Sequence, residues 1–194
     1  MVLIDANPKE RISKTLHLVM TKAGFLGFIF LLFSFGSAIF PGLDKKSIKE
    51  IEKTFGTADF KLEPISIQEE INSILPMKIA SENLYKVNTS DALLGYAFWN
   101  QAPSKTAMFD YLVIFDDSLK IINVKVLVYR EDYGGEIGSN RWLKQFIGKS
   151  RADRIKAGEN IDVISGATIS VNSMAKEMDN LLQSIDILQT KDQI

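Results

Sequence analysis

A chain of 194 residues has room for one domain with a sizeable core and a small additional element. Its 23 Lys+Arg nearly cancel its 24 Asp+Glu, which excludes the strongly basic surface of a nucleic-acid binder, so no nucleic-acid partner is expected. The absence of cysteine excludes a disulfide framework, a thiolate metal site and c-type haem attachment, and the single histidine, His17, leaves the main domain without imidazole acid–base chemistry.

No charged residue interrupts the stretch from Ala23 to Leu43, AGFLGFIFLLFSFGSAIFPGL. About 20 apolar residues suffice to cross a bilayer as a helix. Upstream, Lys9, Arg11, Lys14 and Lys22 outweigh Asp5 and Glu10. The positive-inside rule then places residues 1–22 in the cytoplasm, a single-pass helix at 23–43 in the inner (cytoplasmic) membrane, and everything after Leu43 on the extracytoplasmic, periplasmic side. The rival reading is a cleaved signal peptide, because Gly36-Ser37-Ala38 offers small residues to a peptidase. The long polar leader and the apolar residues beyond Ala38 favour an uncleaved anchor.

After the anchor, KKSIKEIEK (Lys45 to Lys53) predicts a short charged helix with Ile48 and Ile51 on its inner face, broken at Phe55-Gly56. FKLEPISI reads as extended chain containing Pro64, and QEEINSIL as a short helix ended by Pro76. Three strands follow: LLGYAFW from Leu93, FDYLVIFD from Phe109 and KIINVKVLVYRED from Lys120. Alternation in the last places Ile122, Val124, Val126 and Val128 on one face and Asn123 and Lys125 on the other. DDSLK between the second and third supplies a hairpin turn. NRWLKQFIGK predicts a helix stopped by Gly148. Near the C-terminus, Val171, Met174, Ala175, Met178, Leu181, Leu182 and Ile185 repeat at helical spacing, an apolar stripe that packs on the sheet. The expected architecture is α+β. A transmembrane helix at 23–43 leads into a membrane-proximal helical and extended segment at 44–92. One extracytoplasmic domain at 93–188 follows, with a twisted, mostly antiparallel sheet and packed helices, and then a tail at 189–194.

Between Ile161 and that last helix lies DVISGATISV, Asp162 to Val171. Small residues ahead of an amphipathic helix leave free backbone N–H groups at a helix N-terminus, where the helix dipole favours negative charge. Gly166 has no side chain to obstruct a phosphate, and the Thr168 hydroxyl is placed to face one. The other reading is ordinary N-capping by Ser165 or Thr168, with Gly166 as a turn residue.

The arrangement Asp162-Val163-Ile164-Ser165-Gly166-Ala167-Thr168 resembles the flavinylation signature of the FMN-binding domain family. Such domains occur in the C subunit of sodium-translocating NADH:quinone reductase, in the G subunit of the Rnf electron-transport complex and in single-span extracytoplasmic proteins. In that family a flavin transferase cleaves FAD and joins the FMN phosphate to the threonine hydroxyl as a phosphoester. The resemblance implies that Thr168 is the linked residue and that Asp162, Ser165, Gly166 and Ala167 complete the signature. Upstream, YREDYGGEIGSNRWLKQFIGK is similar in position to a second family landmark, a Glu-Thr-Pro-Gly-Leu-Gly turn followed by a Trp-containing helix. Glu131, Gly134, Trp142, Phe146, Gly148 and Lys149 are the counterparts, with DYGGEIG in place of the Thr-Pro-Gly-Leu-Gly core. That departure points to a shorter relative in the wider family rather than a standard subunit of either complex. Tyr133, Gly134, Gly135, Glu136 and Trp142 are the candidate contacts to the flavin. Tyr133 offers a face for stacking, and the two glycines allow close backbone approach. For Tyr129, Tyr133 and Trp142, packing in the sheet and core is an equal reading.

The resemblance therefore implies covalent FMN as cofactor, a flavin transferase for maturation, and redox proteins of the membrane or extracytoplasmic space as partners. There is no dinucleotide loop of the G-x-G-x-x-G type and no visible nucleophile–base pair, so a relay of electrons is expected rather than oxidation of a small substrate. Two other functions remain open at this point. One is an extracytoplasmic flavin-dependent reductase of a small acceptor, and the other a non-redox structural subunit of a membrane complex.

Overall fold

The computed structural model describes residues 43–194. The expected cytoplasmic segment 1–22 and, apart from Leu43, the expected membrane helix lie outside the described residues. Among the described residues no helix is long and apolar enough to cross a membrane.

The first helix, α1 (Lys45–Phe55), opens on Asp44, whose side chain accepts from the Ser47 amide at 2.9 Å. It closes on Gly56, which adopts a left-handed conformation (φ 69°) and returns its N–H to the Glu52 carbonyl. Five strands follow: β1 (Lys61–Pro64), β2 (Leu84–Asn88), β3 (Leu93–Pro103), β4 (Met108–Asp116) and β5 (Ile121–Val128). They pair with their sequence neighbours, each antiparallel, in the order β1-β2-β3-β4-β5. This is the expected antiparallel α+β sheet, longer by two strands than the sequence reading. β2 escaped it, and β1 and β2 come from the segment before Leu93. Between β1 and β2, α2 spans Glu69–Asn72, so the helix stops short of Pro76.

Both faces of the sheet are covered, which is why β4 is buried from Phe109 to Phe115. Phe109, Tyr111, Val113 and Phe115 point to the larger core, whose other wall is the C-terminal helix α4 (Thr168–Thr190). Leu112 and Ile114 point the other way, to a second cluster formed with Ile51, Leu62, Tyr85 and Val87 beneath α1. The expected stripe of α4 is buried throughout, and Ser184 joins it. The Ser184 hydroxyl accepts from the Met77 amide at 2.9 Å and donates to the Met77 carbonyl at 3.2 Å, tying the chain before β2 to the last helix.

Two expectations change. Ile122 does not share a face with Val124 and Val126, and neither does Val128, which a second register shift sets opposite Asp110. Ile114 pairs with Asn123 and Phe115 with Ile121, so Ile122 is an extra residue in the ladder and packs with Ile48 and Phe55 on the α1 side. NRWLKQFIGK is not one helix. A single α-turn, α3 (Asn140–Leu143), passes into a 3-10 turn at Lys144–Phe146, and Gly148 (φ 85°) ends it. Gly148 and Lys149 then pair with Ile121 through two backbone bonds of 2.8 and 2.9 Å, so they fasten this loop to the start of β5.

Candidate functional site

Three segments converge where α4 begins: the β3–β4 turn, the loop after β5, and the quoted loop at 162–167. Val171 donates to the Ala167 carbonyl at 2.9 Å, which makes Ala167 the N-cap of α4 and Thr168 its first residue. No side chain caps this end. The capping reading of Ser165 and Thr168 is therefore not what the structure adopts, and the amides of the first turn, Thr168 to Ser170, point outward without an intrahelical acceptor. Gly166 is left-handed (φ 81°) with open space where a Cβ would stand. Ser165 and Thr168 are exposed, whereas Ala167 is buried.

Thr168 faces a cleft of about 480 Å³. Its walls are Gly166 to Ser170 on one side and Lys105, Tyr129, Glu131 and Tyr133 on the other. Tyr129 packs against Phe109, with ring centroids 5.9 Å apart. Its hydroxyl bonds Ser170 Oγ at 3.0 Å and donates to the Tyr133 carbonyl at 3.2 Å. Tyr129 therefore belongs to core and cleft at once. Tyr133 itself is 83% exposed, so its ring is available to a flat ligand.

Glu131 does not reach into the cleft as a reactive group. Its carboxylate accepts from Ser104 Oγ at 2.6 Å, the Thr106 amide at 2.6 Å, Thr106 Oγ1 at 2.9 Å and the Ala107 amide at 3.2 Å. These bonds, the one from Ser104 first among them, hold its pKa down at about 2. Beside it, Arg130 grips Asp110 through two nitrogens, at 2.9 and 2.8 Å, and lowers the Asp110 pKa.

Of the two expected glycines after β5, Gly134 is the tightly packed one. A Cβ on Gly134 would lie 2.7 Å from the Ala167 Cβ and 3.1 Å from the Tyr129 hydroxyl, so the turn after β5 and the start of α4 touch at this point. A Cβ on Gly135 would meet nothing within 4 Å.

The remaining expected residues are brought together elsewhere. Trp142, Glu136 and Asp162 line a second cleft of about 450 Å³ on the other flank of the 162–167 loop, with Arg141, Lys144 and Gln145. Trp142 is buried, meets Phe146 edge-on at 5.3 Å, and donates from Nε1 to the Asp162 carbonyl at 2.8 Å. Gln145 accepts from the Asp162 amide at 2.8 Å. The backbone of Asp162 is thus clamped from both sides while its residue stays exposed. Lys105 and Ser170 were not among the expected site residues. Lys105 sits in a hairpin turn with no motif around it, and nothing in its local sequence announces the position.

Residues 107–183, from the start of β4 through most of α4, match the family model described as the FMN-binding domain. That segment contains both loops just described. Among solved structures, the chain is similar to the crystal structure of Shewanella oneidensis NqrC, with 20% sequence identity, a TM-score of 0.45, and coverage of 67% of this chain and 70% of that one. No curated protein matches.

The residues present suit a flavin phosphate. The donor set is an uncapped helix start, a hydroxyl on its first residue and a lysine across the cleft, and the left-handed Gly166 leaves room for a bulky group to approach.

Proposed function

We propose that this chain is a membrane-anchored, extracytoplasmic electron-transfer flavoprotein that carries FMN as a phosphoester on Thr168. The observation that carries the reading is the position of Thr168. It is exposed on the first turn of a 23-residue helix whose amides no side chain caps, at the edge of a cleft with two tyrosines. The match to the FMN-binding domain supports FMN as the group held there.

Attachment transfers a phosphoryl group. The Thr168 oxygen forms a bond to the FMN phosphorus of FAD, the pyrophosphate bond breaks, AMP leaves, and the hydroxyl proton is released. A flavin transferase supplies that catalysis, since the site itself offers no general base. The chain's own contribution is orientation: the α4 amides stabilise the negative charge, and the Tyr129–Ser170 bond steadies the wall beside it. When bound, the flavin supplies reversible electron exchange.

A covalent link suits a compartment without an FMN pool, because dissociation can no longer empty the site. It also relaxes the need for an enclosing pocket, in keeping with a cleft whose aromatic wall, Tyr133, is open to solvent. An open site favours exchange with a large redox partner of the membrane or periplasm over capture of a small substrate. The expected cytoplasmic N-terminus, the anchor at 23–43 and the extracytoplasmic domain belong to the same proposal, supported by the charge asymmetry around the apolar segment.

An intact-mass measurement on purified full-length protein tests the attachment. The expected result is a single FMN adduct, mapped to Thr168 by peptide fragmentation. An unmodified mass from cells that contain the transferase would overturn it.

A further inference from the structure

Lys105 occupies the tip of the β3–β4 turn, and the turn is held unusually firmly. Ser104 and Ala107 close it with a backbone bond of 2.8 Å and a hydroxyl bond of 2.7 Å. The Glu131 carboxylate then bonds Ser104, Thr106 and Ala107, the residues on both sides of Lys105. The Lys105 backbone is thereby fixed on the rim, and mobility is left to its four-carbon stem. Lys105 and Glu131 are the two charged residues lining the cleft. Glu131 directs its oxygens at the turn, whereas Lys105 forms no ion pair among the described residues. An ammonium group is a compact point charge with three donors, well suited to phosphate oxygens.

We propose that Lys105 is the counter-charge for the flavin phosphate, meeting it from across the cleft while the first turn of α4 meets it from the Thr168 side. The inference rests on the reading of this cleft as the flavin site. It concerns a residue outside the segment 107–183 that matches the family, so the match assigns it no role. Glu131 is then a positioning residue, acting through the turn it clamps.

The test uses the full chain in detergent, produced without the flavin transferase so that Thr168 is unmodified. It is titrated with FMN and, separately, with riboflavin, which lacks the phosphate, while flavin fluorescence is followed. Lys105→Gln should weaken FMN binding about tenfold, the value of one charge-assisted contact at a partly exposed site. Riboflavin binding should not change, and Lys105→Arg should restore FMN affinity. Equal FMN affinity in wild type and Lys105→Gln overturns the proposal, as does an equal loss for both flavins or an unmodified chain that binds no FMN. The intact mass separates the two claims. An adduct on Thr168 together with an unchanged Lys105→Gln affinity refutes the role of Lys105 and keeps the attachment. A phosphate-dependent loss in a chain that never gains the adduct refutes the attachment and keeps the phosphate site.

Discussion

Gly134 and Ala167 meet backbone to side chain: a Cβ on Gly134 would stand 2.7 Å from that of Ala167, closer than two carbons tolerate. This contact joins the loop after β5 to the N-cap of α4. Gly134 is also left-handed (φ 81°), so a side chain there is strained twice. Gly134→Ala should cost about 1–3 kcal/mol in urea unfolding and lower the flavin content of the purified protein. Adding Ala167→Gly should recover part of the stability, because it removes the clash and leaves the backbone strain. A single variant as stable as wild type would show that the two segments part without cost.

Thr168 is exposed, so its side chain contributes little to the fold. Thr168→Val should abolish in-gel flavin fluorescence while the thermal midpoint stays within about 2 °C, the shift expected of a surface change below 0.5 kcal/mol. Covalent flavin retained in that variant would remove Thr168 as the attachment residue.

Acid should weaken the wall of the cleft. Glu131 and Asp110 both have pKa values below their ordinary 4.5 and 3.8, Glu131 at about 2. A carboxylate with a depressed folded-state pKa stabilises the fold fully above its unfolded pKa and loses that contribution as pH falls through the folded value. Urea midpoints should therefore hold from pH 7 to about 5 and decline from there toward pH 2. Glu131→Gln should flatten the decline. An equally steep decline in Glu131→Gln would mean that other groups carry it.

Trp142 holds the far flank of the 162–167 loop through its indole N–H to the Asp162 carbonyl. Trp142→Phe keeps an aromatic ring beside Phe146 and removes that donor, leaving a carbonyl without its partner. A loss of about 1–2 kcal/mol should accompany faster limited proteolysis between Asp162 and Ala167. Proteolysis at the wild-type rate would place the restraint on Gln145 instead.

For topology, a reporter fused after Ile194 that functions outside the cytoplasm should be active. Activity of a cytoplasmic reporter at the same position would reverse the proposed orientation and remove the reason for a covalent cofactor.

Helix α4 was legible because seven apolar residues recur at its period and face a single partner, the sheet. Strand β2 was not. LYKVN is short, carries a lysine at its centre, and gains its identity from pairing with β3, which no local pattern displays. The face of Ile122 was misread for a related reason, since a bulge is a property of two strands together and periodicity describes one. At the site, the loop around Thr168 could be read as a motif contiguous in sequence. Glu131 is singled out by its likeness to a family landmark, but its bonds run from the loop after β5 to Ser104, Thr106 and Ala107 in the β3–β4 turn, a meeting that no local pattern displays. Lys105 owes its place to the same meeting of turn and loop, so its position across the cleft from Thr168 has no sequence signature.

The sheet joins each strand to the one made just before it, whereas the wall carrying Thr168 belongs to the last helix, pinned back to Met77 by Ser184. Neighbour-to-neighbour strands can zip up early and cheaply, while contacts of long sequence separation wait for the chain to be complete. In a polypeptide emerging N-terminus first, the sheet and its turn with Lys105 are therefore expected to form before the helix that bears Thr168 has docked. The cleft is completed last on this order, so the proposed attachment to Thr168 should follow docking of the C-terminal helix, and its yield should report the docked fraction.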